Sequence, residues 1–360
     1  MPHTRRLAAL LAAAAPLAAP LARPLAAQTA DRVTLRGRDV AVYDPAGRVR
    51  LVAGDGADVT VEVTRGGRDA ARLRVQTADD GRALVVVPPD GADLVYPALG
   101  RWSRTTVRLR RDGTFDDRGG GGGMFSRDGL TVRGTGDGTE AWADLVVSVP
   151  RGARVAVHVG AGAAEASNVD GDLTFRLQAA EARTERTRGR LLVDAGSGAV
   201  RVRDAEGDAV TLDTGSGAVE VQGVRAGRLR IDTGSGSARG ADVTADRLEF
   251  DAGSGSARFE RVRARTVRLD TGSGSVDVEL LDDVDELRAD TGSGGVTLRV
   301  PATLGAALDV DTGSGSIQVD GPVTDVTRRE RDHLTGRLGD GRGRVVIDTG
   351  SGGVRLLRGR

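Results

Sequence analysis

The chain of 360 residues carries 51 basic and 51 acidic side chains, so its formal net charge is zero. A neutral chain has no bulk field that would attract nucleic acid or an anionic membrane, and we expect no nucleic-acid partner. The absence of cysteine excludes disulfides and thiolate metal sites. Glycine is abundant and aromatic residues make up only 2% of the sequence, which is typical of narrow turns filled by aliphatic side chains.

The start of the chain has the organisation of an export signal. A basic pair at residues 5–6 precedes an apolar Ala/Leu run over residues 7–22, and residues 25–27 offer a small-residue cleavage site. A retained membrane helix is the alternative, but the two prolines of the run and Arg23 disfavour it. We predict a signal peptide over residues 1–27 and a mature protein that is periplasmic or secreted, in the cell envelope and without membrane insertion.

Residues 28–150 alternate apolar and polar side chains without a repeated phrase, for example at Val59 and Val61. Alternation with period two predicts strands with one buried face. We interpret this region as irregular β-structure that begins or caps the following array. Within it, residues 112–129 include five consecutive glycines, and such a run predicts a mobile loop because glycine has the most backbone freedom to lose.

One short phrase, Asp-(Thr/Ala)-Gly-Ser-Gly, returns through the second half of the chain. Its leading aspartates are Asp194, Asp213, Asp232, Asp251, Asp270, Asp290, Asp311 and Asp348. Subtraction of neighbouring positions gives steps of 19, 19, 19, 19, 20, 21 and 37, and we interpret the last as two steps with one phrase missing. A nearly constant period in this range indicates a solenoid, in which stacked units share one apolar core.

The residues around each phrase predict two strands per repeat. Positions one and three before each aspartate are apolar, as at Ile231 and Leu229, and positions six and eight after it are mostly apolar, as at Val219 and Val221. Polar residues lie between them, so each repeat reads as two half-buried strands joined by a Gly-Ser-Gly bend. A shorter third apolar contact follows at positions such as Val243.

Strands that recur at a constant step and run the same way are expected to pair in parallel with their copies. We therefore predict an all-β fold, a single-stranded parallel β-helix (β-solenoid) with turns of about 19–21 residues. The crossover rule for parallel strands favours a right-handed coil. The regular solenoid is predicted over residues 151–360, with a protruding polar loop over residues 324–344 in place of one phrase.

The repeated phrase and four other segments resemble a known family. These segments are GRVRL at residues 47–51, VTVEV at 59–63, VPRGA at 149–153 and LGDG at 338–341. Together with the DTGSGSV and DTGSGGV phrases they are similar to the bacterial putative-adhesin domain family and to the related head domain of GIN-type envelope proteins. The resemblance covers nearly the whole mature chain. It implies an exported β-solenoid and supplies no catalytic residues.

The aspartates are expected to form a column of stacked carboxylates. Neighbouring unit charges at coil spacing repel by roughly 1 kcal/mol in water. We expect each carboxylate to accept backbone N–H bonds from its own bend, as in an Asx-turn, and Arg230, Arg268 and Arg288 to neutralise part of the charge. The alternative is a row of calcium ions, but the phrase is spaced differently from calcium-binding glycine-aspartate repeats. We predict no metal and no cofactor.

The phrase Asp-Thr-Gly-Ser also occurs in the active sites of aspartic proteases. Such a protease needs two aspartates that face one water and share a proton. Here the phrase recurs at the spacing of a repeat, which stacks its copies instead of opposing them. We therefore interpret it as a structural turn.

A serine hydrolase would have to use His158 or His333, because His3 lies in the predicted signal. Neither lies beside a distinctive nucleophile turn. The acidic cluster at residues 282–286 reads as a solvated bend, and the arginine-rich residues 328–344 read as a solvated loop that could also meet an anionic glycan or phosphate. If sugar is bound, the aromatic residues upstream of the array mark the more favourable end: Tyr43, Tyr96, Trp102 and Trp142.

The sequence thus predicts an exported structural or adhesion-type β-solenoid without catalytic residues. It would present columns of Thr, Ser, Asp and Arg to an envelope or extracellular polymer or protein, as a monomer for which self-association stays open. Two alternatives remain: a polysaccharide-acting enzyme on a β-helix scaffold, and a filament that assembles through terminal coils.

Overall fold

A computed structural model describes residues 31–89, 91, 93–110, 112–115 and 129–359. The predicted signal peptide lies outside the described residues, and so does most of the predicted glycine-rich loop.

The described part of the chain is built from β-strands, which confirms the predicted all-β class. It contains no α-helix, only 3-10 turns at Ala70–Arg72, Asp79–Gly81 and Pro97–Leu99. None of its helical segments has the length and apolar character needed to cross a membrane.

The strands form one large sheet and one small sheet. In chain order they are β1 Asp31–Thr34, β2 Asp39–Gly54, β3 Thr60–Gly66, β4 Arg74–Ala78, β5 Ala83–Val87, β6 Leu94–Val95, β7 Arg104–Val107, β8 Leu130–Arg133, β9 Thr139–Glu140, β10 Trp142–Pro150, β11 Ala153–Ser167, β12 Gly171–Arg188, β13 Leu191–Ala195, β14 Val200–Thr214, β15 Val219–Gln222, β16 Arg225–Thr233, β17 Ala238–Ala252, β18 Ala257–Thr271, β19 Val276–Leu280, β20 Glu286–Thr291, β21 Val296–Val300, β22 Ala306–Thr312, β23 Ile317–Val319, β24 Thr324–Arg329, β25 His333–Leu338, β26 Gly343–Thr349 and β27 Val354–Arg358.

Successive coils pair in parallel, as β17 and β18 show. Their register places each residue opposite its counterpart in the next repeat, as Asp251 is opposite Asp270, and three separate ladders join the two coils. The ladders pair residues 238–241 with 257–260, 243–245 with 262–264, and 247–252 with 266–271. Each coil therefore contributes two longer segments and one short segment to the stack, in agreement with the short third contact that the sequence indicates.

The core lies inside the coils and is filled by aliphatic columns. Leu212 and Ile231 are fully buried and pair in register in the ladder that contains the aspartates. Burial of one such side chain contributes about 1.5–3 kcal/mol. Size is balanced between coils: the ring of Phe259 occupies the space where Gly240 has no side chain, and Phe250 packs edge-on against it with ring centroids 6.3 Å apart.

A second corner of the coil requires left-handed backbone. Six residues stacked at this corner have φ between 51° and 67°: Asn168, Arg186, Asp204, Gly223, Asp242 and Arg261. Gly, Asn and Asp adopt this conformation most easily. The two arginines offset its strain through the preceding coil, because Arg186 Nε donates to Asn168 Oδ1 at 2.7 Å and Arg261 is bidentate on Asp242.

The first coils are covered on one side. The small sheet of β6, β7, β8 and β9 packs on the bends of β11 and β12, and we call it the covering sheet. A side chain at Gly160 would collide with Val107 of β7, and Gln178 Nε2 donates to Thr106 O at 2.5 Å. Antiparallel strands complete this end, with β4 on β5 and with β3 between β1 and β10.

The last coils do not stack in chain order, which corrects one prediction. β26 pairs in parallel with β20 on one side and with β22 on the other, and β27 lies in the same way between β21 and β23. Asp348 is thus inserted between Asp290 and Asp311, and no phrase is missing. The reason is that β25 already occupies the outer edge of β22, so the final coil enters on its inner side.

The segment predicted as a protruding polar loop is largely a hairpin. β24 and β25 pair antiparallel, and β25 continues the pairing onto β22. The alternation of β25 decides this, because Leu334, Gly336 and Leu338 are buried while Arg337 is exposed. Only β24 is exposed throughout. This end hairpin, residues 324–338, closes the stack.

Candidate functional site

The repeated aspartates form one continuous column on the outside of the stack. Each pairs in parallel register with the next. Their spatial order is Asp194, Asp213, Asp232, Asp251, Asp270, Asp290, Asp348 and Asp311. At a strand spacing of about 4.8 Å, the aspartate column is about 34 Å long. The predicted stacking of these residues is therefore present, with the last two exchanged.

Two carboxyl groups of the column, those of Asp270 and Asp348, have a raised pKa. Partial burial is the main cause that raises the pKa of Asp270 above its ordinary value of 3.8, and Asp290 and Asp251 on either side raise it further. Arg268 and Arg288 act in the opposite direction. At Asp270 the neighbouring arginines therefore do not fully offset burial and the adjacent carboxylates.

The arginines lie where the sequence places them. Arg230 Nη2 is 2.9 Å from Asp232 Oδ2, and Arg288 Nη2 is 3.8 Å from Asp290 Oδ2. Asp348 has no arginine in its own coil, since Val346 occupies the equivalent position, and Arg288 of the adjacent coil is the cation that acts on it. The pKa of Asp348 is raised by partial burial and then by the neighbouring aspartates.

Threonine, rather than aspartate, closes the bends. In three coils the second glycine donates its N–H to the threonine Oγ1 three residues earlier, for example Gly236 to Thr233 at 2.9 Å. These threonines are buried beneath the bend, whereas the aspartates point outward. The expected Asx-turn therefore does not describe these bends. The sequence signal was available, because threonine follows six of the eight aspartates.

Glycine is required at these bends because the coils approach each other closely, and not because the backbone has a positive φ. A Cβ at Gly234 would lie 2.5 Å from the carbonyl oxygen of Gly215 in the preceding coil. A Cβ at Gly236 would overlap the carbonyl oxygen of Gly217. Neither position has a positive φ. The bends thus stack backbone on backbone and leave the first glycine and the serine exposed, as at Gly234 and Ser235.

The column changes chemistry at its first coils. Tyr43, His158 and Arg176 occupy the aspartate position in the three coils before Asp194. The rings of Tyr43 and His158 stack with centroids 4.3 Å apart, and Phe115 meets both edge-on. His158 is buried in this aromatic cluster, so we assign it a packing role.

His333 ends the column on the other side. Its Nδ1 is 2.7 Å from Asp311 Oδ2 and its Nε2 is 3.0 Å from Thr335 Oγ1. An acid, a histidine and a hydroxyl in this order have the connectivity of a hydrolase triad. However, Thr335 is paired within a ladder on both sides, which leaves no nearby backbone N–H pair to stabilise an oxyanion. We interpret the three side chains as a polar cap.

The other long face carries ion pairs that the sequence analysis missed. Arg201 lies between two coils, with Nη1 3.4 Å from Glu181 Oε2 and Nε 3.4 Å from Glu220 Oε2. Arg50 Nε meets Glu165 Oε2 at 3.4 Å in the first coils. These side chains were visible in the sequence only as unassigned charges, because each partner lies a full coil or more away along the chain.

The shortest of the three ladders, which pairs residues 243–245 with 262–264, lies along a shallow groove of about 620 Å³. Small side chains such as Ala226 and Ala245 form its floor, and charged residues of both signs line it. The predicted solvated bend at residues 282–286 closes one end, where Asp282 pairs with Arg263 at 3.3 Å. The carboxyl groups whose pKa is raised, Asp44, Asp270 and Asp348, lie elsewhere.

The four aromatic residues upstream of the array differ in exposure. Tyr96 is buried and packs against the half-buried Trp142 with ring centroids 5.8 Å apart, and Tyr43 is half-buried. Trp102 is 91% exposed. Only Trp102 among them can therefore serve as a contact platform.

The charges of two arginines in the end hairpin are offset by acidic residues of the same hairpin. Arg328 is bidentate on Glu330 at 2.9 and 3.0 Å, and Arg337 meets Asp325 at 3.1 Å. Arg328 lowers the pKa of Glu330 through this hydrogen bond. Across the described ranges no group of three or more His, Asp or Glu side chains is arranged to hold a metal ion, so the calcium alternative gains no support from geometry.

Fold and surface together define an all-β repeat protein whose regular features are outward columns of polar side chains. The family profile of Toastrack DUF4097 matches residues 143–357. The chain belongs to the Toastrack DUF4097 family. No curated protein matches it.

Among solved structures, one match is a crystal structure of a putative cell adhesion protein from Clostridium sporogenes ATCC 15579. It is 8% identical, with a TM-score of 0.20, and the alignment covers 92% of this chain and 100% of that chain. At that TM-score we base no conclusion on the likeness.

Proposed function

We propose that this protein is an exported, non-catalytic binding element of the bacterial cell envelope, built as a right-handed, single-stranded parallel β-helix. The observation that carries the proposal is the aspartate column, a straight row of carboxylates at coil spacing on an exposed face. A periodic row of this kind suits a partner that is itself periodic or extended, such as an envelope polymer or an extended protein segment.

Two features support binding rather than catalysis. The groove is shallow and its charged walls are ion-paired, as Asp282 is with Arg263. The described residues offer no aromatic side chain in it. A polysaccharide-acting enzyme would need two carboxyl groups with separated pKa values on either side of a bound sugar.

The filament alternative has less support than binding does. Both ends of the stack are closed by antiparallel strands, β4 and β1 at one end and β24 at the other. Such strands do not repeat the register of the parallel ladders, so a second copy could not simply continue the coils. Light scattering over a concentration series tests this alternative directly.

The proposal is tested by capture of envelope material. The mature chain, immobilised, is expected to retain a component of a solubilised envelope fraction, and a variant with Asp232→Asn, Asp251→Asn and Asp270→Asn is expected to retain less. Equal capture by both chains, or none by either, would contradict it. Depolymerisation of any glycan on an array, lost in a His333→Ala variant, would favour an enzyme instead.

Export is tested separately. Intact mass of the protein recovered from a bacterial periplasm or medium is expected to correspond to a chain that begins at Gln28. A chain that keeps residues 1–27 and stays in the cytoplasm would contradict the localisation.

A further inference from the structure

Trp102 is the most exposed large apolar side chain in the described residues. It is 91% exposed, and the only other large apolar residue that is exposed there is Val326, at 40%. An indole can bury about 150–250 Å² in a contact, so solvent exposure of nearly the whole ring forgoes a large stabilisation. A single exposed apolar residue is common on proteins, so Trp102 is informative only together with the groups that surround it.

The residue is held on a well-ordered tip of the covering sheet. Ser103 O accepts the N–H of Gly134, and Thr135 Oγ1 donates to Arg101 O at 2.7 Å. The strand β7 that follows pairs antiparallel with β8 over residues 104–107. These bonds hold the backbone on both sides of Trp102.

Unpaired arginines extend from the tryptophan. Arg101 flanks it, Arg104 begins β7 and Arg108 directly follows β7; these arginines are exposed, whereas Val107 is buried. Within the part of the chain that the structure describes, none of these three arginines forms an ion pair, whereas about half of the other described arginines do. The extended segment that joins Arg104 to Arg108 spans about 13 Å.

Hydroxyl groups lie on the same surface. Ser103 and Thr106 are exposed beside the arginines, and the adjoining turn contributes a single acid, Asp137, which pairs with none of them. We call the set Arg101, Trp102, Ser103, Arg104, Thr106 and Arg108 the Trp102 surface.

We propose that the Trp102 surface binds a negatively charged polysaccharide, with a sugar ring stacked on the indole and its acidic groups paired with Arg104 and Arg108. The inference rests on the proposed binding function and names its partner class. Stacking on a flat ring, hydroxyl donors and free guanidinium groups are the three contacts that an acidic sugar chain can use together. An anionic membrane fits less well, because one indole offers too little apolar area for stable insertion.

The experiment uses the mature full chain and polygalacturonate as the probe. Binding is expected to shield Trp102 from acrylamide quenching and to blue-shift its emission. Neutral dextran of similar length is expected to bind at least about tenfold more weakly, and rising salt to weaken the acidic probe only. Vesicles containing phosphatidylglycerol are the third probe.

Three variants separate the contacts, and their Kd values are measured by isothermal titration calorimetry because two of them lack the Trp102 fluorophore. Trp102→Ala and the pair Arg104→Gln with Arg108→Gln are each expected to raise Kd for polygalacturonate by about tenfold, while Trp102→Phe keeps most of the affinity. The matched control, Arg328→Gln with Arg329→Gln, removes the same charge from the end hairpin and is expected to change Kd by less than about twofold. Far-UV circular dichroism confirms that each variant is folded.

The proposal would be overturned if only vesicles shield Trp102 or if no probe shields it. It would also be overturned if the control variant loses as much affinity for polygalacturonate as the other variants. The result is distinguishable from that of the capture experiment. If Trp102→Ala still retains envelope material as the unchanged chain does, the binding function stands and this site is wrong. If the unchanged chain retains no envelope material and yet binds polygalacturonate, the envelope function is wrong.

Discussion

The bends of the early coils and those of the repeat coils are built by different rules. In the coils of β11 and β12 the bends lie under the covering sheet, where Gly160 contacts Val107 and Gln178 contacts Thr106. In the later coils the bends are bare and stack only on one another. The Asp-Thr-Gly-Ser-Gly phrase is present where the bend is bare and absent where it is covered.

The difference shows what the phrase is for. A bare bend must satisfy its own N–H groups and let coils approach closely, which a buried threonine and two glycines achieve. A covered bend obtains contacts from the covering sheet, so aromatic packing of Tyr43 and His158 can replace the carboxylate. Repetition in this sequence therefore marks exposure of the bend as well as the period of the coil.

The largest expected effect comes from a stacked glycine. In Gly236→Ala the new methyl group would overlap Gly217 O, and relief would require the coils to separate and lose parallel hydrogen bonds. We expect a loss of about 3 kcal/mol or more in unfolding free energy, measured by urea denaturation. Gly56→Ala is the control, since its Cβ would meet nothing closer than 3.6 Å. Equal stability of the two variants would contradict the stacking argument.

The buried threonine is expected to have the next largest effect. Thr233→Val keeps the shape but removes the acceptor for the N–H of Gly236, at an expected cost of about 1–3 kcal/mol for the buried donor. Ala252→Thr places the same hydroxyl in a coil that lacks it and is expected to stabilise. Thermal melts of both variants measure the effect. An unchanged melting temperature in Thr233→Val would indicate that aspartate, and not threonine, accepts the N–H groups of the bend.

In the covered region the sensitive group is Asp44. Burial, only partly opposed by the N–H of Ala46, raises the pKa of Asp44 well above its ordinary value of 3.8. A folded pKa above the unfolded one gives stability that is fully present below the unfolded pKa and is lost as pH rises through the folded pKa. The unfolding free energy of the unchanged chain is therefore expected to fall above pH 4 or so, and Asp44→Asn is expected to remove this fall. The fall amounts to about 1.4 kcal/mol for each pH unit by which the folded pKa of Asp44 exceeds the unfolded one.

Urea denaturation at a series of pH values measures this effect. Asp55→Asn is the control, because its side chain is exposed and it is not among the groups that act on Asp44. An unchanged pH profile in Asp44→Asn would show that this carboxyl is not the source.

In the bare region Asp270→Asn should stabilise by a smaller amount. Its pKa is raised, so its charged form opposes folding once pH exceeds the folded pKa. Because solvent and Arg268 screen the group, we expect a gain of only about 0.5 kcal/mol at pH 7, lost below pH 4 or so and in high salt. Asp194→Asn, at the end of the column beside Arg176, is the matched control and should not stabilise.

Calcium is expected to have the smallest effect. Since the described residues offer no metal-holding cluster, calcium should raise the melting temperature no more than sodium does at equal ionic strength, and a chelator should not lower it. A calcium-specific rise that Asp270→Asn abolishes would restore the metal alternative.

Much of the fold was predictable because its signals are local. Alternation at Leu229 and Ile231, which recurs with every copy of the phrase, predicts stacked strands from the sequence alone. The site was predicted in part: the column is present, and Arg230 pairs with Asp232 as expected. The acceptor in the bend was predicted wrongly, because both Asp and Thr can accept from these N–H groups and only packing shows which side chain lies beneath.

Trp102 was named as one of four aromatic candidates, but its exposure depends on the covering sheet and could not be derived. The left-handed corner was missed because Arg186 and Arg261 occupy positions where sequence rules expect Gly, Asn or Asp. Their partners lie one coil away, at Asn168 and Asp242.

The sequence by itself determined the all-β class, the length of the coil and the residues that share a column, because period-two alternation and a constant step are properties of the chain alone. The tertiary structure decided the order of the last coils. The phrases led by Asp290, Asp311 and Asp348 are nearly identical and can pair with one another equally well, so local sequence does not choose between them. The end hairpin makes the choice by occupying the outer edge of β22, which leaves the inner side for the final coil.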